Sequence, residues 1–229
     1  MSGESGAGKT ESVKILMGHC AYIASSEGDL TIDKLLKASP LLESFGNAKT
    51  ARNDNSSRFG KFSQLEFDVN FRLVGSKCIH YLLEKSRVIS QSSLERNYHI
   101  IYQLLAAPVD IKQGLFLGNR SAKDFNYTCG GDCELSIIEG VSDSDRYVIT
   151  TSALKLLGVD GALKHHLEAA LVGILHLGLV HFTALDGSED SVALSSEESA
   201  RQAIHAVCEL FGVEESEFSH ASVVRMIYV

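Results

Sequence analysis

The sequence lacks any apolar run approaching the length of a membrane span, and no secretory signal opens it, so neither insertion nor export is expected. Excess positive charge is also missing: 21 basic against 29 acidic residues leave a net charge of −8, which argues against nucleic acid as a partner. Cysteine is sparse. Five cysteines, an odd number in no regular framework, fit a reducing compartment better than a disulfide scaffold. The tightest pair, Cys129 and Cys133, flanks a Gly-Gly-Asp turn, and no second pair completes a zinc site. No solenoid-type repeat is present. What remains is 229 residues with 45% apolar and 22% charged side chains, enough for one large domain or two small ones around a substantial core. A cytoplasmic location is expected.

Four blocks follow along the chain. A glycine-rich loop opens into a helix over residues 9–24. After a polar break at residues 25–29, Ile32, Leu35 and Leu36 have helical spacing until Pro40 forces a break or restart. Next, a polar loop over residues 53–58 feeds a strand pair. Leu65, Phe67, Val69 and Phe71 alternate with polar residues, and after a turn at Gly75 the alternation resumes at Ile79, Tyr81 and Leu83, predicting a β-hairpin. Glu66 and Asp68 fall on the polar face of that strand, and Glu84, Lys85 and Arg87 form structural ion pairs at a strand end. The third block, residues 94–180, is mainly helical. Ile100, Ile101, Leu104 and Leu105 mark one helix. Ser142 with Asp145 resembles a capping box, and Gly158 suits that helix's end. Leu163, Leu167, Leu171, Ile174 and Leu175 line one face of another helix, while His165, His166, His176 and His181 read as helix surface or packing. In the fourth block Ser195 and Glu198 cap a helix that Gly212 stops, and a last helical pattern covers residues 218–227.

Two segments carry chemistry. Gly3-Glu4-Ser5-Gly6-Ala7-Gly8-Lys9-Thr10 has the glycine, four residues, Gly-Lys-Ser/Thr spacing of a phosphate-binding loop. Glycines let successive backbone N–H groups turn inward around a polyphosphate, and the helix that follows adds its positive end. Lys9 can reach the outer phosphates, and the Thr10 hydroxyl can ligate Mg²⁺. A chance glycine-rich turn is the competing reading. The second segment, Asn53-Asp54-Asn55-Ser56-Ser57-Arg58-Phe59-Gly60-Lys61, is a run of short amides and hydroxyls able to reach phosphate oxygens, a metal ion or a water. Read alone, it is equally a solvated loop with an exposed arginine.

Together the segments resemble a known family. Gly3 through Thr10, followed by Glu11, is similar to the P-loop of myosin motor heads. The stretch from Leu41-Leu42-Glu43-Ser44-Phe45-Gly46-Asn47 through Arg52-Asn53-Asp54-Asn55-Ser56-Ser57-Arg58-Phe59-Gly60-Lys61-Phe62 is similar to their switch I region. Tyr81-Leu82-Leu83-Glu84-Lys85-Ser86-Arg87-Val88, Glu95-Arg96-Asn97-Tyr98-His99, Gly173-Ile174-Leu175-His176-Leu177-Gly178 and Leu210-Phe211-Gly212-Val213 resemble further landmarks in family order. The resemblance spans essentially the whole chain. It implies an α/β fold: the core of a P-loop NTPase of the myosin/kinesin kind over residues 1–90, and a predominantly helical upper 50-kDa subdomain over residues 91–229. It implies ATP and Mg²⁺ as ligands and the actin filament as partner, with the actin cytoskeleton as location. Gly3, Glu4, Ser5, Gly6, Ala7, Gly8, Lys9, Thr10 and Asn53 would hold the nucleotide, and Thr10 with Ser57 the Mg²⁺. Ser56 would help place the attacking water, and Arg58 would pair with a glutamate of switch II. Lys9, Ser56 and Arg58 are thus the implied catalytic set.

No segment resembles the family's Asp-Ile-x-Gly-Phe-Glu switch II, so Arg58 is expected to lack its partner and the chain to be a motor fragment with little turnover of its own. The alternatives are a non-motor nucleotide- or partner-binding module derived from such a head, or an unrelated P-loop NTPase or kinase.

Overall fold

The computed structural model describes residues 3–4, 6–23, 30–184 and 192–224, with the side chains of residues 21 and 30–37 outside that description. Helix α1 (Lys9–Ile23) begins where the glycine-rich loop ends. Helix α2 (Leu30–Gly46) lies against it, joined through Lys14, whose ammonium meets Glu11 at 2.7 Å and Glu43 at 2.6 Å. Pro40 does not break α2 as its sequence suggests. The helix runs through it, because one lost backbone donor is tolerated where the surrounding turns pack on other elements. The expected face of Ile32, Leu35 and Leu36 lies outside the described side chains.

All described sheets are antiparallel pairs of two strands. β1 (Asn47–Thr50) pairs with β2 (Asn53–Ser57), so the segment expected as a loop is an extended strand. Strand pairing is a backbone property, and these short polar side chains are compatible with it once the Thr50 hydroxyl accepts from the Asn53 N–H across the turn. The expected hairpin is present as β3 (Gly60–Phe67) and β4 (Leu73–Tyr81). Its turn falls earlier than the alternation suggests. Val69 and Phe71 stand in that turn rather than on a half-buried face, and Asp68 accepts from the Asn70 and Arg72 N–H groups instead of lying along the strand. Glu66 remains on β3 and exposed.

From residue 85 onward helices dominate: a 3₁₀ turn (Lys85–Val88), α3 (His99–Leu105), α4 (Val109–Gly114), a second 3₁₀ turn (Ala122–Asp124), α5 (Asn126–Cys129), α6 (Asp143–Leu156), α7 (Gly161–Leu177), α8 (Glu198–Phe211) and α9 (Glu215–Val223). Two short hairpins interrupt them, β5 (Ile137–Ile138) with β6 (Val141–Ser142), and β7 (Phe182–Ala184) with β8 (Val192–Leu194). Every residue of α3 is buried, and it anchors a core running from Tyr98 through Phe125 to Leu175. Ser142 caps α6 by accepting from the Asp145 N–H, and Gly158, at φ 81°, ends it as expected. Ser195 does not cap α8. That helix starts after Glu197, and the Ser195 hydroxyl accepts from the Glu197 N–H one turn early. Gly212, in the left-handed region, stops α8 as read. On α7 the buried residues are Glu168, Ala169, Val172, Gly173, Leu175 and His176, so the expected face is buried in part: Leu175 is in the core and Leu171 packs on it, whereas Leu163 is exposed. α8 approaches α7 closely at Gly173, where a Cβ would lie 2.7 Å from the Phe211 ring. Residues 225–227 of the expected last helix lie outside the described residues.

Candidate functional site

The glycine-rich loop and the β1–β2 pair face one another across a cavity of about 450 Å³. Gly6, Ala7, Gly8, Lys9 and Thr10 line one side, and Asn53, Ser56, Ser57 and Arg58 the other. Residues some fifty positions apart, expected from separate motifs, therefore meet. Gly6 and Gly8 have φ of 82° and 77°, a conformation other residues rarely adopt, and this turns the loop before α1. A Cβ on Gly8 would meet nothing within 4 Å, so glycine serves the turn itself there. Gly3 and Glu4 do not line the cavity. Their carbonyls accept hydrogen bonds from the Lys9 ammonium, both at 2.6 Å, which folds the lysine over its own loop. Ser5 lies outside the described residues.

Local contacts hold the opposite wall. The Arg58 N–H donates to the Gly46 carbonyl at 2.8 Å, and the Phe59 ring lies so close to Gly46 that any Cβ would clash with it. Asn55 is the hub of that wall. Its carbonyl oxygen accepts from the Asn47 amide at 2.9 Å and lies 3.2 Å from His99 Nε2. Its own amide donates to Glu139 at 3.0 Å. His99 is buried, and burial, reinforced by Arg96 and Arg146, pushes its pKa down to about 3. It stays neutral at physiological pH, and with Nε2 as its donor it fits the Asn55 oxygen.

Arg58 is not without a partner. Its Nε lies 2.6 Å from the Glu84 carboxylate, and a terminal nitrogen lies 3.4 Å from the Ser56 hydroxyl. Glu84 also takes Arg87 at 2.7 Å, and Arg87 reaches Glu95 at 2.9 Å. Among the described residues the expected ion pairing at the strand end is thus present for Glu84 and Arg87, though not for Lys85, and extends to Arg58 on the cavity wall. Burial pushes the Glu84 carboxyl up, but hydrogen bonds from Arg58 and Arg87 outweigh it and hold it below the usual range. Glu139 is a cavity residue the motifs did not reveal. It sits with Gly140 in a two-residue turn between β5 and β6, at φ 51° and 78°, where both positions carry the positive φ of a tight hairpin. The Ile-Ile-Glu-Gly-Val pattern is the signal that announces such a turn.

The donor set suits a polyphosphate with a hard divalent ion. Two cations, a helix start and several amides can face phosphate oxygens, while the Thr10 and Ser57 hydroxyls are neutral oxygen ligands of the kind Mg²⁺ accepts beside phosphate and water. Among the described residues there is no cluster of three or more His, Cys, Asp or Glu that could hold an ion without such help. The expected packing role of His176 agrees with its surroundings: it is buried edge-on against Phe125, and burial with Arg120 nearby pushes its pKa down to about 4.

Fold and cavity define a mixed helix-and-strand chain with small sheets, built around a glycine-rich loop that faces an amide- and hydroxyl-rich strand. The chain belongs to the myosin head (motor domain) family, whose model matches residues 1–229. It is 44% identical over 222 residues to unconventional myosin-Va of Homo sapiens, covering 96% of this chain and 12% of that protein. It is 43% identical to unconventional myosin-Vb of Mus musculus, with the same coverage. To Myosin-4 of Saccharomyces cerevisiae it is 42% identical over 235 residues, covering 99% of this chain and 15% of that protein. The chain thus spans about one eighth of the length of the relatives it matches. No described helix is long and apolar enough to cross a membrane.

Proposed function

We propose that this chain is the ATP-binding portion of an actin-based myosin motor, in which residues 1–90 belong to a P-loop NTPase core and residues 91–229 to the upper 50-kDa subdomain. One observation carries the reading: the loop from Gly6 to Thr10 and the wall from Asn53 to Arg58 line the same cavity. Bound ATP supplies the anhydride whose terminal phosphoryl passes to water. The chain's own part is positioning and charge. Lys9, drawn from the Gly3 and Glu4 carbonyls, neutralises phosphate oxygens, and the loop amides and the α1 start add donors. Asn53 contacts the phosphates, and Thr10 and Ser57 hold Mg²⁺. Ser56 orients the attacking water, and Arg58 supplies a second cation and, in the whole head, pairs with a switch II carboxylate. The actin filament is the partner, mostly through surfaces beyond these residues, and the actin cytoskeleton the location.

Titration of the chain with a fluorescent ATP analogue and Mg²⁺ tests this. Saturable binding that Lys9→Ala weakens by about 100-fold, corresponding to loss of a buried charged contact, is the expected result. Binding unchanged by Lys9→Ala would sink the phosphate-loop reading.

A further inference from the structure

Arg58 lines the cavity, yet its shortest side-chain contact is to Glu84, a carboxylate that does not line it. The hairpin register brings that carboxylate there. Gly60 pairs with Tyr81, and the chain beyond the hairpin continues the alignment, so the Glu84 N–H donates to the Arg58 carbonyl at 3.1 Å. Backbone and side chains of the same two residues are thereby joined twice.

Glu84 has two arginines, and they are not equivalent. Arg87 is 4% exposed and, besides Glu84, is held by Glu95 at 2.9 Å and by the Arg96 carbonyl at 3.0 Å. Arg87 therefore stays partnered whether or not Glu84 is charged. Arg58 has a half-buried side chain, and the carboxylate at ion-pair distance from it among the described residues is that of Glu84. A guanidinium is a rigid plane, so a grip at Nε fixes the direction of its end-on edge, where the terminal N–H groups point. One of those nitrogens is 3.4 Å from the Ser56 hydroxyl, on the cavity wall.

Resting on the nucleotide reading above, we propose that Glu84 is a positioning residue: it grips Arg58 at Nε so that the terminal guanidinium nitrogens face the cavity and meet the phosphates. Glu84 touches no ligand itself. Its charge fixes the direction of a cation that otherwise swings among several rotamers, and Arg87 shields that charge from the bound anion.

A double-mutant cycle on the full chain, read by titration with a fluorescent ATP analogue and Mg²⁺, tests it. Glu84→Gln is expected to weaken binding about three- to tenfold when Arg58 is present and less than about twofold in an Arg58→Ala background. Equal losses in both backgrounds, or none in either, overturn the proposal. If Glu84→Gln fails to fold, Glu84→Asp keeps the charge for Arg87 while shortening its reach to Arg58, and the same cycle applies. Hydrogen exchange at the Arg58 Nε–H, followed by NMR without nucleotide, gives a ligand-free readout. It is expected to be slow in the parent and at least about tenfold faster in Glu84→Gln, as for loss of a charge-assisted bond. An unchanged rate overturns the positioning role even where nucleotide binds. A faster rate with no nucleotide binding in the parent would instead condemn the nucleotide reading and leave Glu84 only a structural clamp, which overturns the proposal in its catalytic sense.

Discussion

The two regions of this molecule divide stability from chemistry. Residues from Tyr98 onward supply nearly all of the described buried apolar side chains, whereas Ala48 and Leu73 are the contributions before residue 90. Every residue of the proposed nucleotide site except Glu139 precedes residue 60. The helical region is thus a packed body, with buried stripes on α3, α6, α7 and α8. The site region is a glycine-rich loop, two helices and paired strands, held to that body by Phe45 of α2, which packs on its core, and by polar contacts such as Asn55 to His99 and Lys49 to Asp132. Low contact density suits loops that must rearrange around a ligand, and dense packing suits the platform they move against.

The largest expected effect lies in the platform. Leu104 is fully buried at the centre of the core, so Leu104→Ala should lower unfolding free energy by about 2–5 kcal/mol, measured by urea denaturation. A loss below about 1 kcal/mol would break the division, because it would mean that the helical body is not close-packed.

Acid should strike the same region next. The folded-state pKa values of His99 and His176, about 3 and about 4, lie below the ordinary value of 6.5. As pH falls through 6.5 the unfolded chain takes up protons that the folded chain refuses, so stability present at neutral pH is lost progressively down to the folded values. Between pH 7 and pH 5 each histidine should cost about 2 kcal/mol. Urea midpoints at the two pH values test this, and His99→Gln should flatten its share. A midpoint that does not move between those pH values would show that neither imidazole is kept neutral by the packing.

Much of this was legible in the sequence, and the reasons are local. The glycine-rich loop declares itself as a turn into a helix because its glycines, lysine and threonine are spaced along one turn and one helix start. Gly158 and Gly212 end their helices for equally local reasons of backbone conformation. What escaped depends on distant registers. The Arg58 partner is set by the β3–β4 pairing, including its irregularity between Glu66 and Phe67, so Glu84 gives no sign in its own neighbourhood that it meets Arg58. Glu139 enters the cavity from a turn more than eighty residues away. The close approach of Phe211 to Gly173 likewise joins two helices far apart in sequence, and no periodicity within α7 encodes it.

The smallest expected effect on stability belongs to the hairpin turn, and it probes the site region directly. Val69 is 94% exposed and Phe71 82% exposed, with Phe71 at a φ of 60° that a bulky residue adopts at a cost. Asparagine tolerates that conformation, so Val69→Ser with Phe71→Asn should change unfolding free energy by less than about 1 kcal/mol, in either direction. Self-association is a different matter. Phe62, Phe67 and Val74 also leave large apolar surface exposed on this hairpin, and each of its two strands has one edge without a strand partner among the described residues. Such edges and patches recruit other chains. The double variant should therefore lower the aggregated fraction seen by sedimentation while leaving the urea midpoint nearly in place. A stability loss above about 2 kcal/mol would mean that these side chains are covered in solution, and the site region would then be a packed body in its own right.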